Sequence, residues 1–283
     1  MTSQAALTIK QPRDDQSLSG PVRAFKAALP KVRDGALYVV LSVVVLAVWQ
    51  YFSAIGVLKP MLLPSPLKIG NTLLSLTLSG ELFRHLGISF LRVLEGFAIA
   101  ALVGLPLGIA IGLSRLVDRL TDLLLQLMKP IPPIAWIPLS ILWFGIGEGG
   151  KVFIIFLGGI FPILINTVDG IRQTDQRFVE LARVLEVTRG RFILKVVLPG
   201  ALPAIMTGLR VGLMVSWICV VAAELIAATS GLGYLIMDGR QLMQTDQVLV
   251  GMLTIGAMGK LLDVVLRAAE NRLITWKTTF QGK

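Results

Sequence analysis

The chain is poor in the residues that build disulfide bonds and metal centres. Its 283 residues include one cysteine, Cys219, and one histidine, His85. A single cysteine cannot form an intrachain disulfide, and a single histidine excludes a histidine-cluster metal site within one chain. We therefore expect no disulfide framework, no metal and no other cofactor.

Charged residues are also scarce. They make up 16% of the chain, and hydrophobic residues make up 54%. An ordinary soluble domain carries about 25% charged residues. The mean hydropathy of +0.77 agrees with this difference. The composition is typical of an integral membrane protein and excludes an ordinary soluble domain.

Long apolar runs fill most of the sequence. A helix needs about 20 apolar residues to cross the hydrocarbon core of a bilayer. The segments that meet this requirement are 36–56, 86–113, 120–145, 152–171, 201–228 and 248–267. We therefore predict an all-α, polytopic membrane protein with about six transmembrane helices.

The basic residues are distributed unevenly among the predicted loops. Lysine and arginine outnumber aspartate and glutamate by 27 to 17, a formal net charge of +10. With the N-terminus inside, 18 basic residues fall on the inner side, 5 on the outer side and 4 within spans. Because cytoplasmic loops are enriched in these residues, both termini are expected in the cytoplasm. This bias also explains the net positive charge, so the charge does not indicate that the chain binds nucleic acid.

These limits divide the chain into three regions. Residues 1–34 form a basic tail, residues 35–268 a transmembrane domain, and residues 269–283 a second cytoplasmic tail. The first tail is too long for the charged part of a secretory signal. We expect it to lie near anionic lipid, with plain disorder of residues 1–20 as the alternative.

One charged segment, residues 172–200, interrupts the apolar runs. Phe178, Ala182 and Leu185 recur at spacings of four and three, so they share one helical face. Glu180 and Arg183 lie on the opposite face. A short helix of this kind can insert into a groove on another protein. A solvated connector helix is the alternative.

This segment resembles the EAA motif of bacterial ABC importer permeases, E-A-A-x-x-x-G followed by nine residues and I-x-L-P. The matching positions are Glu180, Ala182, Leu198 and Pro199, with Val196 at the isoleucine position. Leu181 replaces an alanine, and Glu186 replaces the usual glycine. Because glutamate disfavours a left-handed backbone, we expect the turn to shift toward Gly190. Separately, we expect Pro199 to end the helix that follows the turn, because proline has no N–H to donate.

The resemblance covers nearly the whole chain beyond about residue 35. The further matching stretches are 63–66, 141–147, 198–203, 222–226 and 230–234. They are similar to the permeases of sulfonate, taurine and nitrate importers. Residues 79–82, 165–167 and 259–260 look most like an aliphatic sulfonate permease.

The resemblance implies a type I ABC importer permease (MetI-like) fold in the bacterial inner membrane. It implies a homodimer within membrane lipid, with the path at the two-fold interface. It also implies cytoplasmic ATP-binding subunits and a periplasmic or lipid-anchored substrate-binding protein. The chain is then expected to be non-catalytic and to form the path for a small organic anion, an aliphatic sulfonate.

Other functions stay open at this point. Taurine, nitrate or another small anion is the alternative substrate within the family. A stand-alone channel or secondary transporter, and a membrane enzyme using buried acids, are the alternatives outside it.

The resemblance places the residues that couple the chain to an ATPase in one segment. They are Phe178, Glu180, Ala182, Leu185, Gly190, Leu198 and Pro199. We expect no catalytic residue. Residues 145–151 mimic a phosphate-binding loop, but Val152 stands where serine or threonine would hold magnesium. ATP hydrolysis is therefore expected on a different polypeptide.

The third predicted span contains four prolines between residues 130 and 138. Prolines leave backbone carbonyl groups without a helical hydrogen bond, and in a membrane these groups must bond to protein or to water in a cavity. Broken helices of this kind often line transport paths. A kinked packing helix is the alternative. The candidate path-lining residues are Pro132, Trp136, Trp217 and Glu224. Packing is the alternative for both tryptophans, and a structural or gating role is expected for Glu224, because a carboxylate repels an anion.

Polar residues in the other apolar segments also suggest contacts. Arg92 is expected to pair with Glu95 or to extend to the membrane interface, and Arg210 to extend there as well. Ser65 and Pro66 predict the start of an amphipathic surface helix over residues 67–80.

Overall fold

The computed structural model describes residues 40–274. These residues belong to two compact units that divide after Pro60. All regular structure in this part of the chain is helical. The predicted tail 1–34 lies outside the described residues, as does the end of the predicted tail 269–283.

The first unit contributes one described helix, α1, over Val40–Ala54. It is apolar but shorter than the length that crosses a bilayer upright. It corresponds to the first predicted span, 36–56, whose first residues are outside the described part of the chain.

The second unit begins at Met61. Its α-helices are α2 (Pro66–Leu78), α3 (Glu81–Leu113), α4 (Arg115–Met128), α5 (Ile137–Phe144), α6 (Glu148–Arg172), α7 (Gln176–Val184), α8 (Arg189–Phe192), α9 (Leu198–Ala227), α10 (Leu232–Gln241) and α11 (Thr245–Leu273). A 3₁₀ turn at Pro133–Trp136 precedes α5, and a π-helical turn at Ile193–Val197 joins α8 to α9.

Helix α2 confirms the helix predicted over residues 67–80. The Ser65 hydroxyl accepts the Lys68 N–H at 3.2 Å, and Pro66 occupies the first helical position, where no N–H is needed. A hydrogen bond and an ion pair join α2 to Asp246, near the start of α11. The Thr72 hydroxyl donates to Asp246 at 2.6 Å, and the Lys68 ammonium lies 3.3 Å from the same carboxylate.

Four continuous helical segments are long and apolar enough to cross a membrane. They are Glu81–Leu113, Glu148–Arg172, Arg189–Ile226 and Thr245–Leu273. The bent pair described next brings the number of spans among residues 40–274 to as many as five, and α1 is a further short apolar helix. The expected number of about six is therefore approximate.

The third predicted span, 120–145, is broken near its prolines, as their number indicated. Arg115–Met128 and Pro133–Phe144 meet at 87°. The prolines between them cannot donate backbone hydrogen bonds, and their rings clash with the preceding helical turn. The chain therefore breaks after Met128 and restarts in a new direction with Pro133.

The centre of the second unit is the packing of α6 between α3 and α9. Small residues let these helices approach closely, as is usual in membranes. A Cβ on Gly96 of α3 would lie 2.6 Å from the Ile155 side chain of α6, and one on Gly108 would lie 2.8 Å from Thr167. These distances leave no room for a methyl group without movement of α6.

Candidate functional site

The charged segment predicted to contact a partner folds into α7, a tight turn and α8. The Asp175 carboxylate caps α7 by accepting the Arg177 N–H at 2.9 Å. At the other end, the Val187 N–H donates to the Ala182 carbonyl at 2.9 Å, and the Glu186 N–H donates to Arg183 at 3.2 Å. This pair of bonds is a Schellman motif, so both ends of α7 are fixed.

The left-handed residue of this turn is Glu186, with φ at +49°. The expectation that the turn would shift to Gly190 is therefore wrong. Gly190 lies inside α8. A left-handed residue other than glycine costs about 1–2 kcal/mol. The two hydrogen bonds that end α7 offset that cost at Glu186, four positions before the glycine.

The expectation that Pro199 ends a helix is also wrong. The helix runs without a break from Arg189 to Ile226. In a regular α-helix, Pro199 would leave the carbonyl of Lys195 without its donor. The π-helical turn at Ile193–Val197 changes the bonding pattern immediately before the proline, so the chain continues into α9.

A groove of about 410 Å³ lies between α7, α8 and the π-helical turn. We call it the α7–α8 groove. Its lining residues are Phe178, Leu181, Ala182, Leu185, Glu186, Val187, Thr188, Arg191, Phe192, Lys195 and Val196. Phe178 is 54% exposed and Leu185 is 64% exposed. The groove therefore combines exposed apolar side chains with charged ones, among them Arg191 and Lys195.

The structure brings three of the predicted coupling residues together in this groove: Phe178, Ala182 and Leu185. Glu180 is exposed on α7 and Gly190 is exposed on α8, and neither lines the groove. Leu198 and Pro199 form the first turn of α9. The coupling role of all seven residues stays a prediction.

A second polar site, which we call the Arg92 cluster, lies at the opposite end of α6 and is mostly buried. It comprises His85, Ser89, Arg92, Glu148, Glu224 and Ser230. The Arg92 guanidinium donates to both Glu148 oxygens at 2.5 and 2.7 Å, and to Glu224 at 2.7 Å. It also donates to the Ser230 carbonyl at 2.7 Å. One side chain of α3 thus binds α6, α9 and the loop after α9.

Arg92 is only 4% exposed. Its predicted pairing with Glu95 is wrong, and so is its predicted extension to the interface. Arg210 likewise pairs with another helix, since its guanidinium lies 3.0 Å from Glu270 of α11. In both cases a carboxylate on a neighbouring helix satisfies the cation. No local sequence pattern indicates these partners, because they lie more than 50 positions away in the chain.

Glu224 is 1% exposed and is enclosed by donors. The Ser89 hydroxyl lies 2.8 Å from each carboxylate oxygen, and the Gly233 N–H donates at 2.9 Å. A Cβ on Gly231, where φ is +115°, would collide with the carboxylate. The His85 ring accepts the Gly231 N–H at 3.0 Å. These contacts hold the loop between α9 and α10 in one conformation, which agrees with a structural role for Glu224.

The four candidate path residues occupy different environments. Pro132 is exposed at the break before α5, and Trp136 is half-buried in the 3₁₀ turn. Trp217 is buried and donates its indole N–H to the Ile255 carbonyl of α11 at 3.1 Å. Glu224 belongs to the Arg92 cluster. A path-lining role for each of them stays a prediction.

Packed helices long and apolar enough to cross a bilayer, with an exposed groove at one end, define the class as a polytopic membrane protein. Residues 104–275 match the family described as binding-protein-dependent transport system inner membrane component. The chain belongs to this family and is an inner-membrane ABC importer permease of the sulfonate and taurine group.

Two relatives illustrate the similarity. The protein SsuC of Bacillus subtilis, named for transport of aliphatic sulfonates, is 43% identical over 86% of this chain and 88% of its own length. The taurine transport system permease protein TauC of Escherichia coli is 37% identical over 90% of this chain and 94% of its own.

A solved structure confirms the fold. An inward-facing conformation of the MetNI methionine ABC transporter gives a TM-score of 0.53 at 20% identity. The match covers 70% of this chain and 94% of that one. The predicted MetI-like permease fold is therefore confirmed.

Proposed function

We propose that this chain forms the transmembrane path for a small aliphatic sulfonate, and that a separate ATP-binding subunit drives transport by binding the α7–α8 groove. The observation that carries this proposal is the groove itself. Exposed Phe178 and Leu185 line it, and exposed apolar side chains in a concave site favour insertion of part of another protein.

The helices around the groove are suited to transmit force. Asp175 and the Schellman motif fix the two ends of α7. The other wall of the groove is the first part of a helix that continues for 38 residues into the membrane-spanning core. A displacement of the groove would therefore move α9, and with it the α6 and α3 helices that pack beside it.

The proposed assembly contains two copies of this chain in membrane lipid, two ATP-binding subunits and a substrate-binding protein. The excess of basic residues on one side supports a cytoplasmic location for both termini and for residues 172–200. That location places the α7–α8 groove on the side where ATP is present. The binding protein would select the solute and deliver it to the opposite side.

The choice of an aliphatic sulfonate is supported by the relative named for that substrate. Taurine is the second candidate, because the match to TauC covers 90% of the chain, against 86% for SsuC, at the lower identity of 37%. Nitrate and other small anions are further alternatives.

Uptake and cross-linking together test this proposal. Vesicles containing the permease, its ATP-binding subunit and its binding protein are supplied with ethanesulfonate, taurine or nitrate. We expect ATP-dependent uptake of ethanesulfonate above the other two. Preferential uptake of taurine or nitrate would overturn the substrate assignment.

The groove is tested by Leu185→Cys in a Cys219→Ala background, labelled with a reagent that has one thiol-reactive end and one photoreactive end. We expect a cross-link to the ATP-binding subunit. Leu142→Cys is the matched control, because Leu142 is exposed on α5 and does not line the groove. No cross-link at Leu185, or an equal one at Leu142, would contradict the assignment of the groove.

A further inference from the structure

Beside the break in the third predicted span lies Lys129, which pairs with no carboxylate of the residues that the structure describes. Lys129 follows the last residue of α4, and its side chain is exposed. Within residues 40–274, the ion pairs found do not include Lys129. Arg92 and Arg210, by contrast, are matched to carboxylates.

Lys129 lies near the middle of the spanning region. It lines two cavities together with Phe161 and Ile165 of α6. At 1.5 Å per residue, Phe161 is about 20 Å from Glu148 and about 17 Å from Arg172, the two ends of α6. An ammonium at this depth is costly unless a ligand, a partner or cavity water stabilises it.

The two cavities adjoin at Lys129 and differ in charge. The first, of about 250 Å³, extends to the ion pair between Asp118 and Arg172 and is also lined by Asp122 and Asp169. The second, of about 350 Å³, extends to Pro133 at the chain break and to α9. Among the described residues that line the second cavity, Lys129 alone is charged.

The rest of the second cavity is mostly apolar. Leu157, Val211 and Val215 contribute hydrocarbon walls. Asn166 adds an amide whose Nδ2 donates to the Pro162 carbonyl at 2.8 Å, which leaves its second N–H for a ligand. An apolar cavity of this size with a few polar groups is the usual form of a small-molecule site.

We infer that the second cavity is a binding site for the alkanesulfonate in transit, with the Lys129 ammonium holding the sulfonate group and the apolar walls holding the alkyl chain. The inference rests on the proposed function and gives it a specificity. Nitrate has no chain to bury. Taurine carries an ammonium group of its own, which would lose its hydration there with no carboxylate among the described lining residues. The carboxylates of the first cavity repel an anion and favour its residence in the second.

Transport by variants of the complete complex gives the first test. With its ATP-binding subunit and binding protein present, Lys129→Gln should lower butanesulfonate uptake at least about tenfold. Binding-protein-stimulated ATP hydrolysis should be kept, and Lys129→Arg should keep most of the uptake. Arg119→Gln is the control, because it also removes one positive charge, from a residue of α4 that lines neither cavity. Unchanged uptake in Lys129→Gln, an equal loss in Arg119→Gln, or loss of the stimulated hydrolysis would overturn the inference.

A second test, which does not depend on transport, measures whether butanesulfonate occupies the second cavity. In the complex carrying Val215→Cys and Cys219→Ala, butanesulfonate should slow thiol modification at least about threefold, and nitrate should slow it less. Adding Lys129→Gln should remove this protection. Modification of Leu142→Cys should be unaffected. Equal rates with and without butanesulfonate would overturn the site even in a complex that transports sulfonates. Protection in a complex that fails to transport them would support the site and contradict the proposed function instead.

Discussion

Glu186 shows how the geometry of one residue departs from its intrinsic preference. It takes a left-handed conformation that glycine adopts more readily, because Val187 and Glu186 itself must donate hydrogen bonds to the last turn of α7. Met243 does the same after α10, with φ at +58°. Its N–H donates to the Arg240 carbonyl at 3.2 Å. Two ends of helices in this chain thus contain strained backbone.

Replacing Glu186 with glycine should relieve this strain. We expect Glu186→Gly to stabilise the end of α7 by about 1 kcal/mol, which is about a fivefold slower exchange of the Val187 amide hydrogen. Hydrogen exchange followed by mass spectrometry measures it. Met243→Gly is the matched variant and should protect the end of α10 similarly. An equal gain from Glu186→Ala would contradict the backbone explanation, since alanine tolerates φ above zero no better than glutamate.

The Arg92 cluster makes a prediction about buried charge. Arg92→Gln leaves the Glu224 carboxylate buried without its cation, which should cost about 3–5 kcal/mol. Glu148→Gln should cost less, because the Glu148 side chain is 61% exposed. The fraction of monodisperse protein after heating in detergent compares the variants.

A double variant provides the control for this prediction. Arg92→Gln with Glu224→Gln removes both charges of the buried pair and should recover part of the stability that Arg92→Gln loses. If the double variant is the less stable of the two, the stability lost in Arg92→Gln does not come from an uncompensated carboxylate.

At the scale of helices, the packing of α3 on α6 depends on small residues. Gly96→Ala places a methyl group against Ile155 and should lower stability by about 1–3 kcal/mol. Gly87→Ala is the matched control on the same helix, because a Cβ there meets nothing within 4 Å. It should be neutral or stabilising. Thermal unfolding of both variants in detergent checks this, and equal losses would contradict close packing at Gly96.

The sequence predicted where the helices lie better than it predicted the angles between them. Apolar length identified α3, α6, α9 and α11, because the cost of exposing polar backbone to lipid is the same for every span. Proline content indicated a break in the third span, but the angle of 87° depends on the packing of the segments on both sides. The prediction from Pro199 was wrong, because a π-helical turn before this proline lets the helix continue.

The candidate site was predictable in part for a related reason. The apolar face of α7 follows from spacing within a short segment, so the sequence alone predicts that Phe178, Ala182 and Leu185 share the face that lines the groove. The partners of Arg92 and the cavity at Lys129 depend on side chains from separate helices. Spacing along one segment contains no information about such contacts.

At the scale of the whole molecule, we propose that the chain is a passive permease, moved by a separate ATP-binding subunit. The α7–α8 groove lies at one end of α6 and the Arg92 cluster at the other, with cavities along the helix between them. In this proposal, a subunit that binds the groove would act through α9 on the helices that surround the cavities. The Arg92 cluster keeps the far ends of α3, α6 and α9 together while this happens.

The most direct test of this claim is ethanesulfonate uptake into vesicles that contain the permease with or without its ATP-binding subunit, with ATP and the binding protein supplied in both. We predict uptake only when the ATP-binding subunit is present, and its loss on Leu185→Asp in the groove although the chain still inserts. Uptake without that subunit would contradict the account and identify the chain as a transporter that works alone.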